Sequence, residues 1–211
     1  MEHKTASSLS HVLWIGGSPC SGKSTIAATL AHAYGMTTYS CDDAVERHVR
    51  LAGAGQAPVM HRLSNAPCDE LWMRPLNQQI GEEIAFYDEE FPFIRDDLLA
   101  LPNDRPVVAE GAALMPRLLA GIGIRPERSI WLVPSPSFQR DHYARRDWRH
   151  GVLEQCTDQE GAWRNWMERD IGFAHHIANE AAALGRTCLV VDGTRPLDAM
   201  LGDVRRHLSL P

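Results

Sequence analysis

Long apolar runs are missing from this chain of 211 residues. None approaches the roughly 20 residues that cross a bilayer, and the opening "MEHKTASSLS" has no apolar leader core behind its single lysine. These absences predict a cytoplasmic protein without a membrane partner. Positive charge is also short: the net charge is −6, so no overall basic field predicts a nucleic-acid partner. Cysteine pairs are missing. Cys20, Cys41, Cys68, Cys156 and Cys188 are odd in number and scattered, with no CxxC, which predicts neither a disulfide framework nor a zinc knuckle. His175 and His176 stand side by side, but neighbours on a helix point in different directions and make poor joint metal ligands. There is no internal repeat, no linker long enough to divide the chain, and no NKxD-type guanine signature.

What is present suits one globular domain: 44% hydrophobic residues and 23% charged. Five short apolar runs alternate with helical patterns. The strands are predicted in "HVLWIGG" (11–17), "MTTYSC" (36–41), "RPVVAEG" (105–111), "SIWLVPS" (129–135) and "TCLVVDG" (187–193). That alternation predicts an α/β fold, a parallel five-stranded sheet with helices on both faces. Residues 1–10 are expected as a disordered tail and 11–211 as the domain. Within it, 52–68 has neither helical nor strand period and predicts a loop or mobile segment. A helix is expected in "PLNQQIGEEIAFYDEEF" (75–91), where Leu76, Ile80 and Ile84 recur at helical spacing after Pro75, with a further short one in "RDDLLALP".

The most specific stretch is "GGSPCSGKST", residues 16–25. Gly17, Gly22, Lys23 and Ser24 fit G-x-x-x-x-G-K-S/T, with a strand before and a helix after, the context that this motif requires. Successive backbone N–H groups from Gly17, Ser18, Cys20, Ser21 and Gly22 curl around phosphates, and the helix N-terminus adds positive potential. Lys23 neutralises phosphate charge, Ser24 is placed to ligate Mg²⁺, and Thr25 adds a hydroxyl towards the α-phosphate. Cys20 occupies a position where glycine would accept any φ. Either it is a small space filler, or its thiol, close to Lys23 and a helix N-terminus, tends towards thiolate.

Three further features accompany the loop. Asp42 and Asp43 follow the second strand in "CDD". Carboxylates at strand ends face the ligand crevice of an open α/β sheet, although "DDAVE" would also cap the next helix. Asp43 is favoured as the base, with Asp42 turned towards Mg²⁺ or the cap. Glu110 ends the third strand, where an acid can hold Mg²⁺ through water; the alternative is a capping or salt-bridged surface acid. Finally, "RDHYARRDWRHG" gathers Arg140, Arg145, Arg146 and Arg149, read as one basic helix in which Arg145 and Arg149 share a face. It is either a solvated charged helix or a source of guanidinium groups for phosphate.

Together, "GSPCSGKS", "CDD", "VVAEG" and "RDHYARRDWR" resemble the P-loop small-molecule kinases, the group of nucleoside, nucleotide, shikimate and gluconate kinases, over about residues 11 to 209. The resemblance implies a three-layer P-loop NTPase fold, ATP and Mg²⁺ as cofactors, and transfer of the γ-phosphate to a hydroxyl or phosphate of a small-molecule acceptor. It implies a base at Asp42 or Asp43, and a lid over 135–160 that supplies arginines, with Arg140 and Arg146 preferred and Arg145 third. It implies an adenine cradle at Gly193, Thr194 and Arg195, residues that otherwise make a plain strand-to-helix turn. The acceptor falls to an insertion over 44–103, where Arg47, His48, Arg50, Arg62, Arg74 and Arg95 suit an anion and Trp72, Phe86, Tyr87, Phe91 and Phe93 suit a ring. A nucleotide-binding regulatory module and a plain NTPase stay open as alternatives, and a homodimer is expected only from the base rate of soluble proteins.

Overall fold

The computed structural model describes residues 7–211. Positions 1–6 of the expected tail lie outside the described residues, while 7–10 form a turn that buries Leu9. The chain then runs β1 (Val12–Gly17), α1 (Lys23–Tyr34), β2 (Thr37–Ser40), α2 (Cys41–Leu51), α3 (Pro58–Ser64), α4 (Cys68–Trp72) and α5 (Leu76–Ala100). It continues through β3 (Val107–Glu110), α6 (Pro116–Gly121), β4 (Ser129–Pro134), α7 (Pro136–Ala144), α8 (Arg149–Leu153), α9 (Gln159–Ala183), β5 (Cys188–Val191) and α10 (Leu197–His207).

The strands form one parallel sheet in the order β2-β3-β1-β4-β5. Alternation along each strand divides the core into two layers. Val12 and Trp14 of β1, with Trp131 and Val133 of β4, pack beneath Phe91, Ile94 and Leu98 of α5 and Phe173 and Ile177 of α9. The residues between them, Leu13, Ile15, Ile130 and Leu132, face Ile26 and Leu30 of α1 and Val204 of α10. β1 lies between strands that come later in the chain, on both sides. Its carboxyl end is therefore a switch point, where open α/β sheets leave a ligand crevice.

The structure corrects several expectations. Segment 52–68 contains α3, whose start is held from a distance: the Glu89 carboxylate accepts from the N–H groups of Val59 (3.2 Å) and Met60 (2.8 Å). The expected pair of helices over 75–103 is one helix that carries Pro92 in its interior. A proline in a helix interior costs about 3 kcal/mol or more, and burial of Phe91, Ile94 and Leu98 around exposed Pro92 opposes a break. Cys68 and Cys156 form a disulfide across 88 residues, with Cα atoms 5.0 Å apart. Odd count and wide spacing conceal such a pair, because the fold alone brings α4 to the chain segment before α9. Among the described residues, no helix is long and apolar enough to cross a membrane.

Candidate functional site

The loop between β1 and α1 starts from a glycine that admits no side chain. Gly17 has φ 127, and a Cβ there would stand 1.9 Å from the Leu132 carbonyl oxygen. The loop ends at Gly22, left-handed at φ 82, which precedes the first turn of α1. That turn has no acidic residue and no side-chain cap, so its N–H groups and partial positive charge face the loop. Within the loop, Ser21 Oγ donates to the Ser18 carbonyl at 2.9 Å, and Lys23 Nζ donates to the same oxygen at 2.8 Å. Burial pushes the Lys23 amine down from its ordinary range, while Glu110 and Asp42 push it up.

Cys20 sits at φ 63, in the left-handed region that most residues avoid. Its side chain packs on a cluster built from Trp72, Tyr143, Trp166 and the Cys68–Cys156 pair, so contact beyond the loop accompanies the unusual backbone. The expected tendency to thiolate is overturned. Burial pushes the thiol up to about 11, and Asp170 adds to that against the opposing charges of Arg146 and Lys23.

The acids gather at the same strand ends. Gly111, with φ 156, lets Cys41 approach so closely that a Cβ at 111 would lie 2.4 Å from the Cys41 Cβ. This contact draws the start of α2 to the end of β3. Ser24 Oγ donates to Glu110 Oε2 at 3.2 Å. Burial raises the Glu110 carboxyl, the Lys23 charge lowers it, and nearby Asp42 raises it again. A hydroxyl and carboxylate oxygens form a hard donor set that fits Mg²⁺. Among the described residues there is no group of three or more His, Cys, Asp or Glu side chains that could hold a metal ion.

Asp42 and Asp43 are placed differently, though both are exposed. Ser40 caps α2, its hydroxyl accepting from the Asp43 N–H at 3.3 Å, so neither aspartate is needed there. Asp42 lines the cavity at the phosphate loop and a second cavity beside it. Asp43 is exposed and lines neither. Tyr87 joins Asp42 on both linings.

The basic segment is not one helix. α7 ends at Ala144, with Arg145 as its C-cap, and α8 begins only at Arg149. Arg145 and Arg149 therefore do not share a helical face. The break follows tertiary aromatic contacts: Trp148 packs on Trp166 and Tyr143, with ring centroids 5.8 and 6.2 Å apart. Arg146 lines the phosphate-loop cavity and stacks on Tyr143 and Trp148 at 5.2 and 5.6 Å. Arg140 pairs with Glu168 at 2.5 Å, and neither it nor Arg145 lines that cavity. Tyr143 is anchored below by Asp170, which accepts its hydroxyl at 2.8 Å and the Trp166 indole N–H at 3.2 Å.

Gly193 and Thr194 form a self-contained turn in which Asp192 Oδ1 accepts from Thr194 N–H (3.0 Å) and Oγ1 (2.7 Å). Arg195 pairs with Asp203 at 2.6 Å.

The second cavity, of about 330 Å³, lies among α2, α3, α4, α5 and α9. Trp72, Phe86 and Tyr87 line it as expected, whereas Phe91 belongs to the core and Phe93 stacks near His48. The arginines expected to await an anion have acidic partners. Arg47 and His48 bind Asp97, Arg50 meets Glu46, Arg95 meets Asp96, and Arg62 and Arg74 both meet Glu82. Sequence reasoning missed Arg169, which enters the lining from α9. It reaches Glu83 at 3.1 Å and Asp170 at 2.7 Å and lies 4.6 Å over the Trp72 ring. Burial pushes Glu83 up to about 8, against the pull of Arg169. Only the tertiary fold brings Arg169, some 90 residues downstream, to this wall.

No family model matches the chain, and no curated protein matches its sequence. Among solved structures, it is similar to TT1252 from Thermus thermophilus, with 17% identity and a TM-score of 0.50, over 94% of this chain and 96% of that one. It also aligns with a sulfotransferase domain from the curacin biosynthetic pathway, with 15% identity and a TM-score of 0.46, over 95% of this chain and 74% of that one. The likeness to TT1252 concerns the fold, which in this chain is a five-stranded parallel sheet between helices.

Proposed function

We propose that the chain is an ATP- and Mg²⁺-dependent kinase that moves the γ-phosphoryl group to a hydroxyl of a small molecule. The observation that carries this reading is the position of Asp42 on the linings of both the phosphate-loop cavity and its apolar neighbour. A carboxylate between two such cavities serves one purpose well: it orients an acceptor hydroxyl towards phosphate and takes its proton. The new bond joins the acceptor oxygen to phosphorus, the bond from phosphorus to the bridging oxygen of ADP breaks, and the hydroxyl proton passes to Asp42. Lys23 and the N–H groups of the loop hold the phosphates in line. Arg146 supplies a permanent planar charge for the equatorial oxygens. Ser24 and Glu110, with Asp42 near, would hold Mg²⁺, which when bound neutralises charge on the phosphates.

An acceptor screen that follows ADP release tests the reading. ADP formation is expected to depend on Mg²⁺ and to rise with a hydroxyl acceptor. Equal ADP formation with and without every acceptor makes the protein a plain NTPase, and ATP binding without turnover makes it a regulatory module.

A further inference from the structure

The cavity beside Asp42 has a chemical character that selects among acceptors. Its body is apolar and flat-walled, formed by Leu63, Leu71, Trp72, Phe86 and Tyr87. Two arginines reach it, Arg74 and Arg169, against four carboxylates, Asp42, Glu82, Glu83 and Glu90. Both arginines are already engaged: Arg74 with Glu82, and Arg169 with Glu83 and Asp170. Arg62, just outside, is shared between Glu82 and Glu70. A phosphate or carboxylate entering here would lose its water and meet no uncommitted cation, which is an uphill transfer.

Three polar atoms of wall residues have neither a hydrogen bond nor an ion pair among the described residues: two donors, Trp72 Nε1 and Arg74 Nε, and one acceptor, Gln79 Oε1. Gln79 is 2% exposed, and its Nε2 donates to the carbonyls of Trp72 (3.1 Å) and Arg74 (2.7 Å). Two carbonyl oxygens can only accept, so the amide nitrogen must face them and the amide cannot flip. Its Oε1 is buried and has no hydrogen-bond partner among the described residues. Such an atom is costly unless a ligand completes it, and as a fixed acceptor it can be completed only by a donor.

We propose that this cavity takes a flat, apolar-bodied alcohol that carries an N–H donor and no anionic group, with the hydroxyl at Asp42 and the donor at Gln79 Oε1. The proposal rests on the kinase reading for the role of the hydroxyl but not for the selectivity of the cavity. Nucleotide-like and sugar-acid acceptors are thereby set aside.

Three matched probes test it without ATP: para-hydroxymethyl benzamide, its methyl ester counterpart, and para-hydroxymethyl benzoate. Binding to the full chain is measured by ligand-observed NMR titration. The amide is expected to bind at least about tenfold more tightly than the ester, which lacks the donor, and than the benzoate, which is charged. Gln79→Leu should remove the difference between amide and ester and leave the rejection of benzoate. Equal or tighter binding of the benzoate, an amide no better than the ester in the wild-type chain, or no binding of any probe overturns the proposal. Failure of ADP formation would count against the kinase reading alone, because none of these measurements requires turnover.

Discussion

Under the proposed function, the two cavities that meet at Asp42 would recognise their ligands by opposite means. At the phosphate loop the chemistry is mostly main chain: N–H groups aimed by a tight glycine-bounded turn, with one lysine and one hydroxyl added. In the neighbouring cavity it is mostly side chain: rings, paired charges and one amide, on a wall drawn from five helices and the turn that carries Arg74. Backbone recognition is indifferent to most substitutions but intolerant of changed geometry, whereas side-chain recognition can be retuned one residue at a time. A chain with this division can keep its phosphoryl donor and vary its acceptor.

Substitutions can break that comparison, most severely at the loop. Lys23→Ala should lower kcat by about 10⁴-fold, since it removes the only side-chain cation of the loop; unchanged steady-state turnover would refute its role. Asp42→Asn comes next, with an expected loss in kcat of about 10³-fold. The same change at exposed Asp43 should stay within about threefold, and the reverse order would restore Asp43 as the base. Loss of the cross-link follows. Cys68→Ser should lower unfolding free energy by about 2–4 kcal/mol in denaturant titration under non-reducing conditions, without changing ATP affinity more than a few-fold.

The smallest effect sharpens the acceptor side. Glu83 is raised from 4.5 to about 8 by burial. A carboxyl held protonated in the folded chain favours folding while the unfolded chain is also protonated, and loses that advantage as pH rises through both values. Stability should therefore fall as pH climbs from about 4.5 to about 8. Glu83→Gln should flatten that part of the profile in thermal melts, and an unchanged slope would assign it to other groups.

Legibility in the sequence follows the same division. The phosphate loop is contiguous, so Gly17, Gly22, Lys23 and Ser24 could be read together in eight residues, and five apolar runs alternating with helices sufficed for the parallel sheet. The choice between Asp42 and Asp43 turned on whether Ser40 or an aspartate capped α2, which adjacent residues of equal propensity do not reveal. The basic segment looked like one helix because propensity is local. Aromatic packing of Trp148 on α9 overrides it. For Cys20 the sequence left a space filler and an activated thiol both open, because the apolar cluster that covers its thiol is assembled from 72, 143 and 166. The cavity walls were least legible, since Arg169, Glu83 and Gln79 share no spacing that a sequence pattern can express.

The disulfide also changes what the arginine-bearing segment is. Tyr143 is fixed to Asp170 at one end and Cys156 to Cys68 at the other. The stretch between them is a bridge with two fixed abutments, not a flap free at its tip. Most of the entropy that a free segment would surrender on settling over a ligand has already been removed by that tethering. If the segment closes over phosphate as the proposed function has it, closure would draw on a narrow set of shapes, with Arg146 already lining the cavity.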